Sequence, residues 1–304
     1  MLLQANMVKR IIAGGGGDLE AKAGESLRLR RVECKPSASD DYLTISVARV
    51  TLAYYRIKGK SGNHLSTILA AYLKRNLMEF LTAQGINVTI PIAEGQTLSV
   101  SRYAEAGNVM LIYDRYSAGD VKASDPNGSE SGIYTFLQYA KVGTVPTASG
   151  DALIDTALTP SMFPDFPCGK VVPARHTIEL LGIFGSPFVD ATSAGNCFHT
   201  TFLKLIRDRE VLFDQDRAGI PFDGEDQAAD AIVYASNFSL IGPNTEALLN
   251  TNAITNGPPL MFDPPLKFEA GQELNAFLSI VKTGTHTYTA NADDQGFILR
   301  VRRQ

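Results

Sequence analysis

No tryptophan occurs in this chain, and no apolar run approaches the roughly 18 residues that a membrane-spanning helix needs. Cysteine is sparse: Cys34, Cys168 and Cys197 form an odd, widely spaced set with neither a C-x-x-C pair nor the density of a disulfide framework, which reads as three reduced thiols. His64, His176, His199 and His286 stand apart, with no H-x-H or H-x-x-x-H spacing to hold zinc or iron. Positive charge is not in excess, since 28 Lys and Arg face 32 Asp and Glu, so no overall basic field draws the chain to nucleic acid or an anionic membrane. A G-x-S-x-G elbow is missing. Gly14 to Gly17 run into Asp18-Leu19-Glu20 rather than into the Gly-Lys-Ser/Thr of a phosphate loop. These absences leave no catalytic, cofactor-binding or metal-ligating residue to name, and the expectation is a protein that is not an enzyme and carries no cofactor. Met1 to Arg10 lacks the basic-then-apolar order of a signal peptide, which makes cytoplasmic synthesis the expectation and the N-x-[ST] triplets at Asn87, Asn127 and Asn237 chance matches.

What is present is turn chemistry and alternation. Twenty-six glycines and fifteen prolines punctuate a chain that is 44% hydrophobic and 20% charged, the composition of a packed, antiparallel β protein. Its 304 residues suit two sandwiches of about 100 residues with long loops. Met1 to Asp18, with four consecutive glycines, reads as a flexible N-terminal arm. From Ser26 onward, Leu27, Leu29, Leu43, Ile45 and Val47 alternate with polar residues at the strand period of two, continuing through Val50 to Ile57. One amphipathic helix is predicted from Ser66 to about Ala83, with Leu69, Tyr72, Leu73, Leu77, Phe80 and Leu81 on one face and Gly85 as its stop. Strands resume at Val88 to Ile92, Thr97 to Tyr103 and Val109 to Tyr113. Residues 121 to 169 are broken by Ser, Asn, Gly and Pro and read as a connector, with Ile133 to Val142 left open between strand and helix. Residues 170 to 304 then give strand candidates at Thr177 to Phe184, Phe198 to Phe213, Ile232 to Ile241, Leu274 to Lys282 and Gly296 to Arg302.

Two motifs recur in the same order. Ala23, Leu27, Leu29 and Val32 match Ala174, Ile178, Leu180 and Ile183 as A-x-x-x-[LI]-x-L-x-x-[VI]. Further on, Pro91 with Gly95-Gln96-Thr-Leu98 answers Pro265 with Gly271-Gln272-Glu-Leu274. The fold class expected is all-β, two jelly-roll-like β-sandwiches in tandem (19–120 and 170–304) with one inserted helix. This pattern resembles the double jelly-roll capsid proteins of icosahedral bacteriophages, the lineage that also holds the adenovirus hexon. The resemblance implies a major capsid protein of the virion, assembled in the host cytoplasm. It would form homotrimers whose pseudo-hexagonal capsomers contact other capsid proteins and a viral membrane or genome beneath. That family has no invariant catalytic or binding motif, so no residue role carries over. The alternative from another class is a carbohydrate- or receptor-binding β-sandwich module of a fibre, cement or tail component.

Two stretches carry candidate chemistry. Asp214, Asp216, Gly219 and Glu225 approach the calcium-loop pattern, but Ala218 stands where an oxygen ligand belongs and the preceding segment reads as strand, so a solvated acidic loop competes. Arg28, Arg30 and Arg31, and likewise Arg300, Arg302 and Arg303, alternate with apolar residues. Each set is either a solvated sheet face or a surface that meets acidic neighbours, head groups or packaged nucleic acid.

Overall fold

The structure, a computed structural model, describes residues 7–12, 14–34, 41–57, 68–69, 72–73, 77–86, 88–104, 107–117, 133–144, 149–160, 170–185, 189–191, 197–213, 219–227, 232–233, 259–283, 288–292 and 295–303. Strands dominate them. Met1–Gly59, Asn63–Leu137 and Arg300–Arg303 make one compact unit, and Gln138–Leu299 is the body of the other.

Among the described residues, the two sheets of the first roll are built from eight strands: Met7–Ile12, Gly16–Glu20, Glu25–Cys34, Tyr42–Val47, Val50–Arg56, Ile90–Ile92, Thr97–Arg102 and Val109–Ser117. The first, eighth, third and sixth pair in that order to make one sheet, and the second, seventh, fourth and fifth make the other. This is the jelly-roll order. Period-two alternation puts Leu27, Leu29, Leu43, Ile45, Leu98 and Val100 at 2% exposure or less. Burial of each such side chain contributes about 1.5–3 kcal/mol.

The second roll repeats this order with Ile133–Val142, Gln295–Arg303, His176–Gly185 and Leu260–Phe268 in one sheet. Lys170–Val171 and Gly150–Ala157 both flank Glu273–Thr283, which leads to Cys197–Arg207 and then Glu210–Leu212. Register repeats as well. Leu27 faces Ile92 and Leu29 faces Ile90, as Ile178 faces Phe268 and Leu180 faces Leu266. Val47 lies opposite Leu98 and Arg207 opposite Leu274. Here the two sheets also join, since Gly150–Ala157 pairs with Ile133–Val142 at Ala140 and Ala157.

The two sequence motifs turn out to be one corner of the roll. The N–H of Glu25 donates to Lys22 across a turn with Gly24 at φ 79°, and His176 donates to Pro173 with Arg175 at φ 62°. The second motif is a turn in which the N–H of Gln96 donates to Ala93 and that of Gln272 to Glu269, with Gly95 and Gly271 in the left-handed region that glycine tolerates best. Each glutamine side chain closes its own turn by accepting from Ala93 or Glu269, at 2.9 and 2.8 Å. The turns then lock together: Ala21 exchanges backbone hydrogen bonds with Gly95 and Gln96, and Val172 with Gly271 and Gln272. Only Gly-Gln-x-Leu is truly equivalent, because register sets Lys267, not Pro265, in the place of Pro91.

Four expectations need correction. Of the glycine-rich start expected as an arm over 1–18, residues 7–12 form the first strand and 16–18 open the second, while 1–6 and 13 lie outside the described residues. Gly14 and Gly15, at φ 77° and 82°, swing the chain from one sheet to the other, and a Cβ on Gly17 would sit 2.7 Å from Ile12 Cγ2. Those glycines serve a corner. The connector at 121–169 contains the strands Ile133–Val142 and Gly150–Ala157, so the second roll starts well before 170. The helix is Leu77–Ala83, ended by a Schellman pair in which Ile86 donates to Leu81 and Gly85 to Thr82, with Met78 and Leu81 buried. Upstream, Ile68–Leu69 and Tyr72–Leu73 pair as a tiny hairpin, and Ser66 lies outside the described residues. Finally, Phe198 to Phe213 is a hairpin, turning at Asp208 with φ 56°.

Candidate functional site

The basic strand is locally neutralised. In Glu25–Cys34 the register shifts opposite Ile112 and Tyr113, so Arg30 and Arg31 both lie off the core between inward Leu29 and Val32. The x-x spacing of the first motif is that bulge. Arg30 pairs with the buried Asp114, whose Oδ2 also accepts from Tyr116 Oη at 3.0 Å. Arg31 pairs with Glu33 and, at 2.9 Å, with Glu79 on the helix. These cations are engaged within the roll, which weakens the case for a nucleic-acid surface here. In the strand Gln295–Arg303, Arg300 and Arg302 are half-buried and Arg303 is exposed.

Of the calcium-loop residues, Asp214 and Asp216 lie outside the described residues. Glu225 sits in the strand Ile220–Gln227, opposite His199 and Val233. That places it in a ladder rather than at the end of a ligand loop. His176 Nδ1 lies 2.9 Å from the carbonyl oxygen of Ala174 in its corner turn. His64, His286 and Cys168 lie outside the described residues. Among the described residues no group of three metal-ligating side chains converges.

What sequence reading missed is a buried clamp at the end of the sheet Gly16–Glu20, Thr97–Arg102, Tyr42–Val47, Val50–Arg56. Asp41 is fully buried and Arg102 has a side chain only 2% exposed. Asp41 Oδ2 accepts from Arg102 Nε at 2.9 Å and Nη2 at 2.6 Å, and Oδ1 accepts from the backbone N–H groups of Tyr42, Tyr103 and Ala104. The Asp41 carbonyl takes the N–H of Ile57. Asp41 thus closes three strand ends, two through its carboxylate, which takes the N–H groups of Tyr42, Tyr103 and Ala104, and one through its carbonyl, which takes that of Ile57. On the outer face above it, Tyr42 stacks on Tyr103 at 4.7 Å and 11°, and Tyr54 meets Tyr42 edge-on at 5.7 Å. Tyr103 is 69% exposed.

Beneath the clamp lies Cys34. Burial pushes its thiol up from 9.0 to about 12; Asp41 and Glu33 push the same way, while Arg102 opposes. Alkylation at pH 8 should leave Cys34 unmodified in the native chain and label it fully in urea, as read by peptide mass spectrometry. Between pH 9 and about 12 the unfolded chain would be thiolate while the folded chain keeps its proton, so stability contributed by this site falls as pH rises through that window.

The clamp belongs to the first roll alone. By register, Asp41 corresponds to Thr201, Arg102 to Leu278 and Tyr103 to Ser279. There the ladder simply runs on to Phe198 opposite Thr283. No family model matches the sequence, and no curated protein matches it.

Proposed function

We propose that this chain is a structural virion protein, a major capsid protein whose trimers form pseudo-hexagonal capsomers of an icosahedral shell. The observation that carries the reading is the repetition of strand order, register and corner hydrogen bonds in two rolls of one chain. A threefold ring of such chains presents six near-equivalent blocks, a unit that tiles a shell by closed symmetry. Apolar side chains on open edges support it. Met7–Ile12 and Val50–Arg56 end their sheets among the described residues, and Ile11 and Val50 there are 65% and 61% exposed. Such edges call for cover by a neighbour. Its work is contact rather than catalysis, with other capsid proteins and the material beneath the shell as partners, in a particle assembled in the host cytoplasm. Light scattering on the purified chain should give about 98 kDa, three copies of 32.8 kDa, or a larger assembly. A monomer that persists at high concentration and never co-purifies with particles would sink this reading.

A further inference from the structure

We propose that the tyrosine face of the first roll binds a neutral polysaccharide chain. Tyr103 offers an exposed ring whose other face is held against Tyr42. Its backbone is pinned from below by Asp41 Oδ1 at 3.1 Å and the Tyr42 carbonyl at 3.0 Å. An exposed ring held rigidly loses little freedom when a partner stacks on it, and tyrosine joins an apolar face to a polar tip. Beside the rings runs a lane of hydroxyls. Thr44 lies next to Ser101 and Ser46 next to Ser99, none of them buried, and Ser46 Oγ is 3.3 Å from Thr51 Oγ1. Stacking faces plus short hydroxyl donors and acceptors are the chemistry that recognises sugar rings.

Charge selects the class of sugar. The outward positions of these two strands carry none, while the neighbouring strand sets exposed Asp18 opposite Ser99 and exposed Glu20 opposite Thr97. That acidic margin disfavours uronic, sulfated or nucleic-acid chains and leaves a neutral one. The second roll shows that the jelly roll does not need this face, for Ser279 and Phe277 stand where the first has Tyr103 and Ser101. The proposal is independent of the shell role.

Affinity electrophoresis of the full chain tests it, with gels containing dextran, galactomannan or soluble starch against gels containing heparin or hyaluronate. At least one neutral polymer should retard the protein and neither acidic one should. Tyr103→Ala should weaken that binding by about tenfold, a stacking contribution of roughly 1.4 kcal/mol, without moving the melt. Tyr103→Ser, the residue at the equivalent place in the second roll, should act alike. Phe213→Ala, which removes a 55% exposed ring stacked on Phe262 elsewhere, should change nothing. The proposal is overturned if no neutral polymer retards the wild type, if binding survives both Tyr103 variants, or if Phe213→Ala abolishes it too. A fall in sedimenting mass in the Tyr103 variants would give the face to a second copy of the chain and overturn it as well.

Discussion

Asp41→Ala should destabilise the first roll by about 3–5 kcal/mol, because it leaves the Arg102 guanidinium buried without its carboxylate. The backbone N–H groups of Tyr103 and Ala104 lose an acceptor at the same time. Thr201 and Leu278 at the equivalent places suggest the control. Replacing a buried ion pair by packed apolar groups is often neutral, so Asp41→Thr with Arg102→Leu should recover most of the loss. Urea melts of the single and double variants measure both. If Asp41→Ala shifts the midpoint no more than a surface substitution, within about 0.5 kcal/mol, the clamp is not holding the strand ends.

The clamp had a trace in the sequence. Leu98, Val100 and Arg102 are successive inward positions of one strand, and their counterparts Leu274, Ala276 and Leu278 are all apolar. A charge in phase with a core stripe implies a buried partner, but nothing local identifies Asp41, which lies 61 residues away. The corner was far more legible, since its two turns are built from short-range chemistry: a left-handed residue, a glutamine that closes its own turn, and a leucine two positions on. Their hydrogen bonding to each other was not readable, because it joins segments about 70 residues apart in the first half. The glycines at 14–17 misled for a related reason. Conformational freedom suits a mobile arm and a tight sheet-to-sheet crossing equally, and only the neighbour of Gly17, Ile12, tells them apart. The helical stripe from Leu69 to Leu81 failed in its first half, where Ile68–Leu69 and Tyr72–Leu73 pair as strands, as short apolar runs fit either period.

Gly296→Ala should cost the second roll about 3 kcal/mol, near the top of the range for overpacking a core. Gly296 takes an ordinary backbone conformation, and the penalty is steric: a methyl group there would overlap the ring of Phe184 on the neighbouring strand. Phe184 is fully buried and its ring meets Tyr139 edge-on at 5.6 Å, which limits its retreat. The backbone is equally fixed. Gln295 Nε2 donates to the carbonyls of Phe184 and Gly296 at 2.9 and 3.0 Å, tying the two strands together beside the contact. With ring and backbone both held, the added volume has to appear as strain. Phe184→Leu alone should cost less than the 3–5 kcal/mol typical of cutting a buried phenylalanine to alanine, and in its presence Gly296→Ala should become nearly harmless. A double-mutant cycle in guanidinium, followed by near-ultraviolet circular dichroism, reads the coupling. Additive effects would mean that the ring and the glycine do not meet.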